Sequence, residues 1–319
     1  MHKFLRAIGL ASIDSGRSID EIIEYATHDA VRGESVVYNT RSSEVFEDGM
    51  YYRAQIYHPM CKGAGIAIRG FYSPYTDRFI TSYYFPYVDG VGNGEAATVY
   101  AEPDVGHDGY FGQATGHDAL EDAIFYIKNS IDYEIHSSGE TSAQDCRIKL
   151  SALSVGGKII LGTFADKKSS HTSHTPENLV NLHNIDKIPS FMELNPDELL
   201  DTDDDIVPYS GEKSEPDFAK DIGMIARLFD RISKEDVFSI VDSSFYPDGL
   251  ESNVYYVVGN ILSLDSRVNT LTGEEIYVMN LECNDICFNL MINKEDLYGE
   301  PEVGRRFLGS IWLLGELIY

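Results

Sequence analysis

The run Val45-Phe46-Glu47-Asp48-Gly49-Met50-Tyr51-Tyr52 sets Asp-Gly between β-prone residues, and the expected fold follows from it. An Asp-Gly pair between two apolar, β-prone runs is a strong short-range hairpin signal, because a mirror-image turn needs positive φ at both central positions. It predicts neighbouring strands that pair antiparallel. Working outward, apolar segments at 64–72, 78–85 and 96–101 are separated by Ser73-Pro74, by Pro86 and by the Gly90–Gly94 cluster, which extends the hairpin into a meander. Upstream, Ser18-Ile-Asp-Glu21 reads as a capping box opening a short helix through Ile19, Ile22, Ile23 and Ala26. Downstream, Leu120, Ile124 and Ile127 recur at helical spacing within 118–129. Cys146–Val155 and Lys158–Phe164 are β-rich runs joined by Gly156-Gly157, a second hairpin signal. Strands outnumber helices without alternating with them, so residues 1–165 are expected to form a mainly antiparallel α+β domain.

From Lys167 to about Pro216 the periodicity dissolves. Residues 193–217 hold ten acids against one lysine, the composition of a mobile, solvated linker over 166–216. Phe218, Ile222, Ile225, Phe229 and Ile232 then share one helical face, and Ser233-Lys-Glu-Asp236 resembles a further capping box. Strands are expected near 254–264, 274–282, 286–292 and 305–318, with a turn around Asn269–Gly273. The last run is interrupted by Gly309 and Gly315, which suggests a small, strongly bent sheet or barrel in a second domain at 217–319. An oligonucleotide-binding-type barrel is one candidate for it.

The formal net charge is −27. Residues 1–164 hold 22 acids against 13 bases, 165–236 hold 17 against 8, and 237–319 hold 13 against 4, so each segment carries −9. A negative field spread in this way disfavours nucleic acid and anionic membranes, since such binding rests on lysine and arginine displacing counterions. The chain has no apolar run of ~18 residues, and its opening lacks the ~7–15-residue apolar core of a secretory signal. Four scattered cysteines make no disulfide framework. The expectation is a cytoplasmic protein with reduced thiols.

Three stretches carry a family likeness: Met1-His-Lys-Phe-Leu-Arg-Ala-Ile-Gly9, Ser233-Lys-Glu-Asp-Val-Phe-Ser-Ile-Val241, and Gly299-Glu-Pro-Glu-Val-Gly-Arg-Arg-Phe-Leu-Gly-Ser-Ile-Trp-Leu-Leu-Gly315. Together they resemble an uncharacterised domain-of-unknown-function family of anaerobic Gram-positive, clostridial-type bacteria. The resemblance spans nearly the whole chain, with the last motif its most specific part, and it implies no activity, ligand or catalytic residue. The long acidic stretch before Ser233 departs from it.

Five features could carry chemistry. Gly-His-Asp occurs twice, placing His107, Asp108, His117 and Asp118 ten residues apart in pairs. Imidazoles and carboxylates suit a divalent metal or general acid–base work, although the spacing fits no established ligand motif and the composition is that of turns. Asp201, Asp203, Asp205 and Glu212 occupy positions 1, 3, 5 and 12 of a calcium loop, but position 6 is Ile206 where glycine is needed. Cys283 and Cys287 share a strand face if the strand is unbroken, as half a zinc site or as two small core residues. Ten tyrosines lie between Tyr51 and Tyr110; grouped on one exposed face they make a recognition surface for protein or sugar. Arg305, Arg306, Phe307 and Trp312 form one basic–aromatic cluster, either a binding spot or an ion pair to Glu300 and Glu302 beside a core tryptophan.

The Gly-rich nucleotide loops, the Gly-x-Ser-x-Gly elbow and His-Glu-x-x-His do not occur in the sequence. The leading expectation is a non-catalytic interaction or regulatory module whose partner is another protein, with no metal and no cofactor. The alternative is a metal-dependent or acid–base enzyme using the His107/His117 loop, and a third reading is single-stranded nucleic-acid binding by the C-terminal barrel. The oligomeric state is left open.

Overall fold

The computed structural model describes residues 2–13, 16–104, 106, 108–116, 120, 123–137, 143–160, 243–248 and 253–319. Residues 1–163 and 241–319 form one compact unit. The linker expected over 166–216, the helix at 218–232, the capping box at Ser233 and the calcium-like acids at 201–212 lie outside the described residues.

The chain enters through a 3₁₀ turn, Lys3–Ile8, whose Phe4, Leu5, Ala7 and Ile8 are buried. Helix α1 (Gly16–Arg32) follows, two residues earlier than the capping box implies. Four antiparallel strands then pair in chain order: β1 (Val37–Phe46), β2 (Gly49–Cys61), β3 (Ala64–Ser73) and β4 (Arg78–Val88). This is the meander read from the sequence. Its first turn differs in detail, because Phe46 pairs with Gly49, so the loop residues are Glu47 and Asp48, neither of them left-handed. Gly49 alone takes a positive φ, 142°. The Asp48 carboxylate explains the shift, since it accepts from Tyr51 Oη at 2.9 Å and pairs with Arg78 at 2.7 Å, contacts that hold it outside the strand.

Side chains alternate across a strand, and the two faces of this sheet do different work. Ile56, Ile66 and Ile68 lie on the face that carries α1, where Ile19, Ile23, Ala26 and Ala30 are buried. Arg69, Phe85 and Tyr87 lie on the other face, where Arg69 and Phe85 meet Tyr126 and Phe85 also meets Trp312 of the second sheet.

The second sheet contains β5 (Glu95–Asp104), β6 (Gly109–Thr115), β7 (Ile124–Ile127), β8 (Gln144–Ser154), β9 (Gly157–Ile160), β10 (Ser244–Pro247), β11 (Val254–Val268), β12 (Glu275–Cys283), β13 (Ile286–Asn293), β14 (Leu297–Tyr298) and β15 (Arg306–Ile318). Helix α2 (Ser130–His136) sits between β7 and β8. The described residues are thus mainly β with a few helices, which bears out the expected strand-dominated, partly antiparallel organisation but makes the class mainly β where α+β was expected.

One pattern occurs twice in this sheet. Strands β5–β6–β7 form an antiparallel meander that begins antiparallel to β8 and ends parallel to β15. Strands β11–β12–β13 form another, beginning antiparallel to β15 and ending parallel to β8. Ile127 lies opposite Gly315 as Ile292 lies opposite Ser154. Because β8 and β15 also pair with each other, each meander closes a five-strand ring and the two rings share that central pair. Val99, Ile127, Leu150 and Ala152 of the first ring and Ile261, Ile292, Ile311 and Leu313 of the second are buried in a common core. The small C-terminal β domain expected at 217–319 is therefore replaced by strands that complete their ring with β8, from the N-terminal half of the chain.

Two further expectations are corrected here. Ile124 and Ile127, read as helical, lie in strand β7, because pairing with β6 and β15 on both edges overrides the local apolar spacing. Gly156-Gly157 does not turn a hairpin. Instead β8 and β9 run on past it as one interrupted strand along β15. The glycine is needed for close approach, since a Cβ at Gly157 stands 2.3 Å from Phe307 Cε2.

Candidate functional site

Tyr38 lies opposite Ala54 and Tyr52 opposite Tyr72, which puts the three tyrosines on the sheet face that carries α1. The helix stops short of them. Ser35 N donates to Ala30 O at 3.0 Å and Glu34 N to Val31 O at 3.3 Å, the paired bonds of a Schellman end with Glu34 at the left-handed position, φ 53°. Beyond this end the sheet face stays open as a cleft of about 500 Å³ lined by Val31, Arg32, Glu34, Val36, Tyr38, Tyr72 and Asp77. Ligand pockets fall in the range of ~300–1,000 Å³.

The rings form a continuous row. Tyr38 is tilted against Tyr72 at 5.4 Å and against Tyr52 at 5.8 Å. Tyr72 Oη donates to Asp77 Oδ1 at 3.2 Å. Burial, and then the Asp77 carboxylate, push the Tyr72 phenol above its ordinary pKa; a hydrogen bond with Tyr75 does the same for Tyr52. Both phenols therefore stay protonated at neutral pH, and Tyr52 Oη also donates to Met50 Sδ at 3.3 Å. Asp77 has φ 49°, so two of the four non-glycine residues with left-handed backbone among the described residues, Glu34 and Asp77, bring carboxylates to this cleft. Tyr75 stands exposed in the β3–β4 turn two residues before Asp77, and Tyr25 stands exposed on α1 against His58. The tyrosine density was visible in the sequence; its grouping depends on the register of three strands and on where α1 ends.

A second cleft, of about 440 Å³, is lined by Thr272, Gly273, Glu274, Glu275, Asn293, Lys294 and Glu295. Its polar groups are spent on one another. Glu274 accepts from Ala11 N at 3.1 Å, Ser12 N at 2.8 Å and Asn293 Nδ2 at 2.6 Å, and Lys294 pairs with Glu275. Burial would raise the Glu274 carboxyl, but these hydrogen bonds hold it below the ordinary range.

Of the Gly-His-Asp loop residues, His107, His117 and Asp118 lie outside the described residues, and Asp108 is placed. Its carboxylate pairs with Arg53 at 2.5 Å and accepts from Ser82 Oγ at 2.5 Å. Arg53 also pairs with Glu134 of α2 at 2.9 Å. Beside it the buried Arg69 guanidinium donates to Asp108 O at 2.8 Å, Tyr126 Oη at 2.7 Å, Ile127 O at 2.6 Å and Gln55 Oε1 at 3.2 Å, and lies over the Phe85 ring at 4.7 Å. This network fastens the β5–β6 hairpin and α2 to the first sheet, and Asp108 is one of its fasteners. Sequence reading missed Arg53 and Arg69, which carry no motif.

The C-terminal cluster is dispersed. Arg305 pairs with Glu302 at 3.0 Å and donates to Glu300 O at 3.0 Å. Arg306 and Phe307 are fully buried, and Trp312 is packed on Phe4 with ring centroids 5.4 Å apart. Cys283 and Cys287 do not share a face: the Asn284-Asp285 turn separates them onto paired strands, Cys283 buried and Cys287 exposed. All four cysteines are free, and among the described residues no group of three His, Cys, Asp or Glu side chains is arranged to hold a metal ion. No helix among the described residues is long and apolar enough to cross a membrane.

Comparison with curated proteins and with solved structures returned no match. A family model matches residues 5–185 and 215–315, leaving 186–214, most of the acidic stretch, outside it. Covered over most of its length in this way, the chain belongs to the family described as a domain of unknown function from E. rectale, DUF3881.

Proposed function

We propose that the protein is a non-catalytic, cytoplasmic interaction or regulatory module that recognises its partner through the tyrosine-lined cleft at the end of α1. The observation that carries the reading is the meeting of the Tyr38–Tyr52–Tyr72 row with two carboxylates in an open cavity. Tyrosine offers a large contact area at low entropic cost and is enriched where proteins bind. The four free cysteines suit a reducing compartment.

The enzyme reading, built on His107, Asp108, His117 and Asp118, loses support from Asp108, whose carboxylate is already engaged by Arg53 and Ser82. The nucleic-acid reading loses support from Arg305, Arg306, Phe307 and Trp312, which are paired or buried.

Tyrosine-selective isotope labelling tests the proposal. Ring signals of Tyr38, Tyr52 and Tyr72, assigned by single phenylalanine substitutions, are followed while a fragment collection is titrated. Related fragments should move these three signals together. Hits that leave them unmoved while shifting signals elsewhere contradict it.

A further inference from the structure

Resting on the cleft reading above, we infer that the group the cleft accepts is an alkylammonium cation. The cleft combines the two features that favour such a group. Aromatic faces carry negative charge, and an ammonium within ~6 Å of a ring centroid is attracted to it, most strongly where water is partly excluded. Tyr72 is buried to 9 % exposure and Tyr38 is half-buried, so their faces are partly shielded from solvent. Glu34 and Asp77 supply formal negative charge at the same opening, outnumbering the single guanidinium of Arg32. Asp77 is held by Tyr72 Oη, so its charge stays beside the ring. Neither carboxylate has an ion-pair partner among those formed by Arg6, Arg53, Arg78, Lys128, Arg267, Lys294 and Arg305. The charge of the whole chain, −27, adds long-range attraction of the same sign.

A sugar also stacks on tyrosine and can donate hydroxyls to the two carboxylates, but being neutral it gains nothing from their formal charge or from the general field. An anion meets three unfavourable charges in Glu34, Asp77 and the general field. A free small molecule and a lysine side chain both carry such a group; the chemistry at the cleft is shared, and the two are separated by experiment.

The test is calorimetric titration of the full-length protein with choline, with its neutral isostere 3,3-dimethylbutan-1-ol, and with Nα-acetyl-lysine amide. Choline or the lysine derivative should bind saturably in the millimolar range and the isostere at least about ten-fold more weakly. Which cation binds more tightly identifies the source. Tyr38→Leu should weaken the cation about five-fold, with Tyr38→Phe retaining it. Because Tyr38→Leu touches packed rings, Asp77→Asn and Glu34→Gln provide exposed variants that leave the fold intact, and each should weaken the cation while leaving the isostere unchanged. Equal binding of the isostere, or cation binding indifferent to all these substitutions, overturns the inference. Neutral fragments that move the Tyr38, Tyr52 and Tyr72 signals while neither cation binds overturn the inference alone; no ligand at the cleft overturns the recognition reading with it.

Discussion

Glu34 sits where helices prefer glycine. At the left-handed position of a Schellman end, any Cβ costs about 1 kcal/mol, and Gly33 stands one residue too early to relieve it. Glu34→Gly should therefore raise stability by about 0.5–1 kcal/mol in chemical denaturation while reducing the cleft's negative charge. A destabilised Glu34→Gly protein would contradict the helix end described here. Single residues were the least legible level of the sequence. Tyr38, Tyr52 and Tyr72 look like any tyrosines of a half-buried sheet until register puts them on one face. Arg69 looks like a surface arginine within an apolar strand, although it is buried and ties five groups together. By contrast, the pairing of Arg305 with Glu302 could be read from their closeness in sequence, although at Glu300 the guanidinium takes the backbone oxygen and not the carboxylate.

At the scale of elements, local signals were reliable where the partner strand is the next one in the chain. The first sheet and the β11–β12–β13 meander follow their turn residues closely. They failed where the partner is remote: β7 is a short strand because β15, nearly two hundred residues later, lies along it, and the helical spacing of its isoleucines is incidental. Gly156-Gly157 was read as a turn for the same reason, since nothing local reveals that Phe307 fills the space above it. Gly157→Ala tests this directly. The added methyl collides with the fully buried Phe307 ring and should cost about 2 kcal/mol without changing the strand order. A hairpin at this position would tolerate alanine poorly for reasons of φ alone, yet Gly157 is not left-handed, so a paired Phe307→Leu substitution should restore most of the loss. Failure of that rescue would count against the packing account.

At the scale of the molecule, the two rings joined through β8 and β15 make residues 1–163 and 241–319 depend on each other. The sequence carries no obvious repeat across the two meanders, so their equivalence emerges only from the pairing. The same packing buries many phenols. Burial pushes Tyr110 and Tyr126 up to about 12, and raises Tyr57, Tyr83 and Tyr87 further still. The sign follows from linkage: below the ordinary tyrosine pKa of ~10 folded and unfolded forms are both protonated, whereas above it the unfolded chain ionises first. Stability should thus be level up to about pH 10 and fall steeply beyond, with phenolate absorbance and loss of ellipticity appearing together. The full complement of phenolates formed near pH 10 with the fold intact, buried rings included, would show these rings to be solvated.

Recognition through the α1-end cleft is open to site-specific photo-cross-linking in cells of native origin. Benzoylphenylalanine replaces Tyr75, which is 74 % exposed and lies in the β3–β4 turn two residues before the cleft's Asp77, or Tyr246, which is 59 % exposed on β10 of the other sheet. The account predicts a discrete adduct from position 75, absent from position 246, and lost when Tyr38→Leu or Asp77→Asn is added to a protein whose melting temperature is unchanged. Identical adducts from both positions, or an adduct at 75 indifferent to those substitutions, would contradict it.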